Sequence, residues 1–191
     1  MGDLFQGYQS EHWYQGIYSS TTAVNPVNSI INREDWPEEK TPFTQMNLLN
    51  REEKQLRELI FRLRTTLSIP YRESLANRLN TLFHDSKEED PSSIGITIGS
   101  LRCFYNFIKL NIDLTCPTIT LTPETNIYAT WREKINHLTS VHFLPNGETR
   151  FVIFKPNTRH PEKTVRIYGT TTFDNLMETL EPYGVKDWIA L

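Results

Sequence analysis

Histidines, cysteines and a run of basic residues are the side chains of this chain that could do chemistry. His12, His84, His137, His142 and His160 form no His-x-x-x-His pair and no H-E-x-x-H pattern, the spacings that put two imidazoles on one helix face around zinc. No metal site is read from them. His137 and His142 fall on or beside one expected strand, five positions apart, and alternation sends them to opposite faces. Cys103 and Cys116 are too few for a disulfide framework. Cys103 has aromatic neighbours in an expected helix, the setting of an inert thiol, and packing is the expected role of both. Gly-x-Ser-x-Gly is absent, and Glu124, Glu148, Glu162 and Asp174 carry no spacing that marks paired catalytic carboxylates. No catalytic residue and no cofactor is assigned.

The coherent polar group is Arg150, Lys155, Arg159, His160, Lys163 and Arg166. They lie on two expected strands and the loop between, and are expected to share one basic surface able to hold phosphate, nucleic acid or an acidic protein. Tyr128, Trp131, Phe143, Phe151 and Phe154 are interleaved with them. Basic sheets with exposed rings bind single-stranded nucleic acid, but no RNP-like run is present. Alternation also sets Phe151 and Ile153 against Arg150, Val152 and Phe154, so most of these rings belong to the core.

Residues 1–47 read as an irregular arm, rich in Gly, Ser, Thr, Asn and Pro without a sustained period. Yet Phe5, Tyr8, Trp13, Tyr14, Ile17 and Tyr18 crowd its start, and Trp36 and Phe43 follow. Disordered segments are poor in aromatics, and rings in a polar arm need a surface. Phe5, Tyr8, Trp13, Tyr14, Tyr18 and Trp36 are therefore expected contacts, either to a partner or to the chain's own helices.

The elements that must position these groups follow. Asn50 with Glu53 has capping-box spacing and is expected to open a helix buried through Leu56, Leu59, Ile60, Leu63 and Leu67. Pro70 closes it and opens a second, with Tyr71, Leu75, Leu79, Leu82 and Phe83 inward and a charged loop from His84 to Asp90. A third starts near Ser92 or Ser93 and presents Ile94, Ile98, Leu101, Tyr105, Ile108 and Ile112. Gly95 and Gly99 weaken it by roughly 1 kcal/mol each and could let a neighbouring helix approach closely. From Thr118 the period becomes alternating, with strands expected over 118–122, 127–132, 138–144, 148–155 and 164–168. Pro145-Asn146-Gly147 is a hairpin turn. Thr171 or Thr172 is expected to cap a last helix over 172–181 that buries Phe173, Leu176, Met177 and Leu180, with Trp188 and Ile189 docking the C-terminus.

The sum is an α+β fold: the arm, then residues 48–191 as one domain with helices over 50–112, an antiparallel meander over 118–168 and a C-terminal helix. The 191 residues, 38% hydrophobic and 23% charged, suffice for one core without staples, and the net charge of −3 argues for no class of partner by itself. Charge is uneven: Asp3, Glu11, Glu34, Asp35, Glu38 and Glu39 face only Arg33 and Lys40 in the first fifty residues. No basic n-region with an apolar run opens the chain, Gln6 spoils a myristoylation motif after Gly2, and no stretch has the length of a membrane span. The expected setting is cytoplasmic, without membrane contact.

The functional expectation is a non-enzymatic protein that binds another protein, in the manner of an inhibitor, antitoxin or immunity subunit, through its arm, its basic surface or both. Self-association is a further form of the same expectation. The alternatives are RNA or single-stranded DNA binding through the basic surface, and a small phosphate-directed enzyme with His142 or His160 as acid or base. The arm reading predicts that Trp13→Ala with Tyr14→Ala weakens partner binding and leaves the melting temperature nearly unchanged. A large fall in melting temperature without a partner would assign those rings to the core.

Overall fold

The computed structural model describes residues 42–134, 136–160 and 162–191; the arm residues Phe5, Tyr8, Trp13, Tyr14, Tyr18 and Trp36 lie outside them. Three helices come first: α1 (Pro42–Thr65), α2 (Arg72–Glu89) and α3 (Ile98–Leu110). Five strands follow, β1 (Thr118–Leu121), β2 (Ile127–Lys134), β3 (His137–Phe143), β4 (Glu148–Pro156) and β5 (Thr164–Thr172). Two short helices, α4 (Leu176–Leu180) and α5 (Lys186–Ile189), close the chain. The fold is α+β, with an antiparallel sheet in the order β1-β2-β3-β4-β5.

The expected stripes of α1 and α2 carry the core, with corrections at their ends, whereas that of α3 is displaced from Ile98 and Tyr105 to Phe104 and Phe107. Leu56, Ile60 and Leu63 are buried on α1, whose wet face holds the i,i+4 pairs Glu53–Arg57 and Glu58–Arg62, both at 2.8 Å. Such pairs are worth a few tenths of a kcal/mol each. The helix opens roughly two turns before Asn50, at Pro42, whose fixed φ suits a first turn; Asn50 is an exposed interior residue rather than a cap. It stops at Thr65, which leaves Leu67 81% exposed in the turn and off the expected stripe. The stretch expected as a charged loop after His84 is instead the last turn of α2, built from helix-forming Lys and Glu. That helix ends where Asp90 Oδ1 accepts the Ser92 amide and hydroxyl, at 2.9 and 2.6 Å.

Helix α3 begins at Ile98, later than the serines suggested, because Gly95 adopts φ +80. A Cβ there would meet the Phe83 ring at 2.4 Å, so α2 fixes this break. The buried face of α3 is Ser100, Leu101, Cys103, Phe104, Phe107 and Ile108; Ile112 lies beyond the helix and is exposed. Gly99 does admit a close neighbour, but it is the β3–β4 hairpin, whose Pro145 would sit 2.7–2.8 Å from an added Cβ.

Alternation selects the face that meets the helices. Ile119, Ile127, Ala129, Trp131, Val141, Phe143, Phe151 and Ile153 are all buried. Phe104 meets Phe143 edge-on at 5.4 Å, and Phe107 meets Trp131 at 6.1 Å. Strand β5 runs to Thr172, so neither Thr171 nor Thr172 caps the last helix; α4 follows Asn175 and buries Leu176 and Leu180. The C-terminus docks as expected: the Ile189 carbonyl accepts the Thr115 amide at 2.7 Å, and Leu114 bridges Ala190.

One side chain joins the layers. Ser100 Oγ donates to the Phe143 carbonyl at 2.6 Å and accepts the Ile127 amide at 2.7 Å, with Ser100 fully buried. Ser100→Ala orphans both backbone groups, each worth about 1–3 kcal/mol when buried unpaired. The expected loss is about 2–4 kcal/mol and roughly 5–12 °C in melting temperature. A denaturant midpoint that hardly moves would contradict it.

Candidate functional site

The face of the sheet turned away from the helices is lined by the even-numbered residues of β2 to β5. Pairing sets them in three rows. Tyr128 stands opposite His142, His142 opposite Arg150, and Arg150 opposite Thr170. The next row is Thr130, Ser140, Val152 and Tyr168, and the third is Arg132, Leu138, Phe154 and Arg166. Among the described residues no helix packs over these rows.

A shallow depression of about 430 Å³ lies across them, lined by Tyr128, His142, Arg150, Val152, Arg166 and Tyr168. Tyr168 is 74% exposed, and the Arg166 guanidinium sits 5.5 Å from the centre of its ring, a cation–π contact. Tyr128 and His142 approach with ring centres 6.4 Å apart. Thr130 and Ser140 share a hydroxyl hydrogen bond of 3.0 Å. Arg150 and Arg166 stand four strand positions apart, about 14 Å between backbones, with Tyr168 between them. The surface can therefore hold two anionic groups with a flat or apolar group between.

Charge on this face is tuned by its neighbours. Burial, reinforced by the Arg150 cation, holds His142 below the ordinary imidazole value, against the opposing pull of Glu124. Its Nε2 is buried without a hydrogen-bond partner. Glu124, fully exposed at the margin, is held low by its own backbone amide and the Thr122 hydroxyl, then by His142 and Arg150. His142 is thus neutral at pH 7 and the arginines carry the positive charge.

The six basic residues expected to share a surface are divided. Arg150 and Arg166 line the depression together. Lys155 is set apart: its Nζ donates to the Tyr183 carbonyl at 2.9 Å, beside a separate hollow lined by His137, Asn157, Asp187 and Trp188. Arg159, His160 and Lys163 sit on an exposed loop closed by hydrogen bonds of its own. Asn157 Oδ1 accepts the Arg159 amide at 2.8 Å, and His160 Nδ1 lies 3.5 Å from Glu162. His137 and His142 do point to opposite faces, for His137 packs on Trp188 at 5.0 Å. Cys103 is buried, which raises its pKa and keeps the thiol protonated. Cys116 is exposed rather than packed.

Tyr168, the most prominent group on the face, was missed because the fifth strand was expected to end there. Reading the alternation on through Thr170 and Thr172 places Tyr168 at mid-strand beside Arg166. Among the described residues no helix is long and apolar enough to cross a membrane. Comparison with protein-family models, curated proteins and solved structures gives no match.

The lowered His142 pKa has a defined sign. In the unfolded chain the imidazole titrates near about 6.5, so below that pH the unfolded state binds the proton first and stability falls. The stability from neutral His142 is complete above about pH 6.5 and is lost as pH drops towards the folded value. His142→Gln is expected to flatten the acid limb of melting temperature against pH. Identical limbs in the two proteins would refute the assignment.

Proposed function

We propose that this chain is a non-enzymatic binding protein that engages an acidic protein surface through the open face of its sheet, centred on Tyr168, Arg166 and Arg150. The observation that carries the reading is the exposed Tyr168 ring held under Arg166 in a depression that also holds Arg150 and Tyr128. Tyr and Arg dominate binding energy at protein interfaces. The outward positions of these strands, up to the β2 irregularity after Arg132, carry Arg132, Arg150 and Arg166 against Glu148, so a partner with discrete carboxylates is complementary. An inhibitor, antitoxin or immunity subunit acting in a reducing cytoplasm is the form we favour. Phe5, Tyr8, Trp13, Tyr14, Tyr18 and Trp36 are a second proposed contact, on sequence grounds alone.

Single-stranded nucleic acid is the second reading, favoured by the same ring set between two cations. Two features weigh against it. Lys155 turns to Tyr183, away from the arginines, so among the described residues no continuous cationic track runs along the face. Glu124 and Glu148 would repel a polyanion at the margin.

Two labelled probes decide between them: a Glu- and Tyr-rich peptide and a single-stranded oligonucleotide. Peptide binding is expected, with Tyr168→Ala costing about 2 kcal/mol, or about thirtyfold in Kd. Arg150→Glu with Arg166→Glu is expected to abolish it. Tighter binding of the oligonucleotide, with affinity falling steeply in salt, would transfer the site to nucleic acid. Binding of neither probe would remove the reading.

A further inference from the structure

The two edges of the sheet are unlike. At the β1 edge the strand has four residues, and its Ile119 carbonyl already accepts Arg78 Nε at 3.1 Å. At the β5 edge the strand has nine residues, about 30 Å of extended backbone. Its pairing with β4 runs unbroken from Thr164 to Thr172, without a bulge. It contains no proline, no lysine and a single charge, Arg166. These are the devices by which edge strands normally resist pairing, and nearly all are missing here. Among the described residues nothing pairs with its outer side. No residue of β5 is fully buried, and the inward-facing Val165 and Ile167 remain half-exposed.

We propose that β5 is a self-association edge: two copies pair antiparallel through Thr164–Thr172 and join their sheets into one. The strand is self-complementary in that arrangement. Full overlap of the nine residues puts Tyr168 on the two-fold axis, since it is the middle residue. Arg166 then faces Thr170 of the second copy, not another arginine. On the inner side Val165 meets Thr171 and Ile167 meets Gly169, so the bulky half of each strand lies beside the small half of the other. The Tyr168 rings become a cross-strand pair on the open face, and the two basic depressions become contiguous. A foreign strand could use the same hydrogen bonds, but it would not inherit this pairing of large with small.

This proposal does not depend on what the open face binds. Sedimentation of the full chain, without any ligand, is expected to give twice the mass of one chain. Tyr168→Lys sets like charges against each other on the axis, and Thr170→Lys sets a lysine against Arg166; each is expected to halve the mass and keep the circular-dichroism spectrum of the folded chain, with a melting temperature that no longer rises with protein concentration. Both positions are exposed, so folding is spared. Thr120→Lys, on the β1 edge, is expected to leave the dimer intact. A wild-type chain that stays single at every concentration overturns the proposal, even if it binds the acidic peptide. So does a dimer that survives both β5 lysines, which would be assembled through another surface or by a foreign strand.

Discussion

Ser100 has no contact with solvent and carries two backbone obligations at once. Its hydroxyl pairs the last carbonyl of β3 and the first amide of β2, groups that would otherwise be buried unpaired at a sheet end. The rest of the layer geometry depends on that bond. It fixes α3 across the same end of the sheet as the β3–β4 hairpin, where Gly99 lets Pro145 approach to backbone contact. With α3 so placed, Phe104 and Phe107 reach Phe143 and Trp131, and the inner face is dry. The helices are then used up on one side.

The other side inherits its properties from this economy. Residues that alternate out of the core become a surface of hydroxyls, tyrosines and arginines, in rows dictated by register. Among the described residues the Tyr168 ring stays 74% exposed, with the Arg166 guanidinium over it and Val152 opposite on β4. His142 sits in the row between Tyr128 and Arg150 and stays neutral through burial and the arginine. The face therefore keeps its arginine charge unchanged through neutrality, while His142 adds none.

Much of the fold was legible in the sequence, because strands of period two and a helix stripe through Leu56, Ile60 and Leu63 are written directly in residue type. What was not legible lay where tertiary contact overrides local signals. Asn50 and Glu53 have cap spacing, yet Pro42 starts the helix. Ser92 and Ser93 look like a helix start, yet Gly95 turns to φ +80 with the Phe83 ring packed where a side chain would lie. Thr171 and Thr172 look like caps, yet they continue pairing with β4. The site was half legible for the same reason. Arg150 and Arg166 were singled out by charge, but their separation from Lys155 depends on which side of β4 each faces and on the carbonyl of Tyr183. Tyr168 was hidden by a strand read four residues too short.

The central claim is that the sheet face opposite the helices, open among the described residues, offers its rings to a partner. Hydroxyl-radical footprinting of the full-length protein, read by mass spectrometry at single residues, tests it most directly. The account predicts rapid modification of Tyr168 and clear modification of Tyr128, while Phe104, Phe107, Phe143 and Trp131 stay nearly unmodified. Protection of Tyr168 and Tyr128 to the level of those core rings would contradict it.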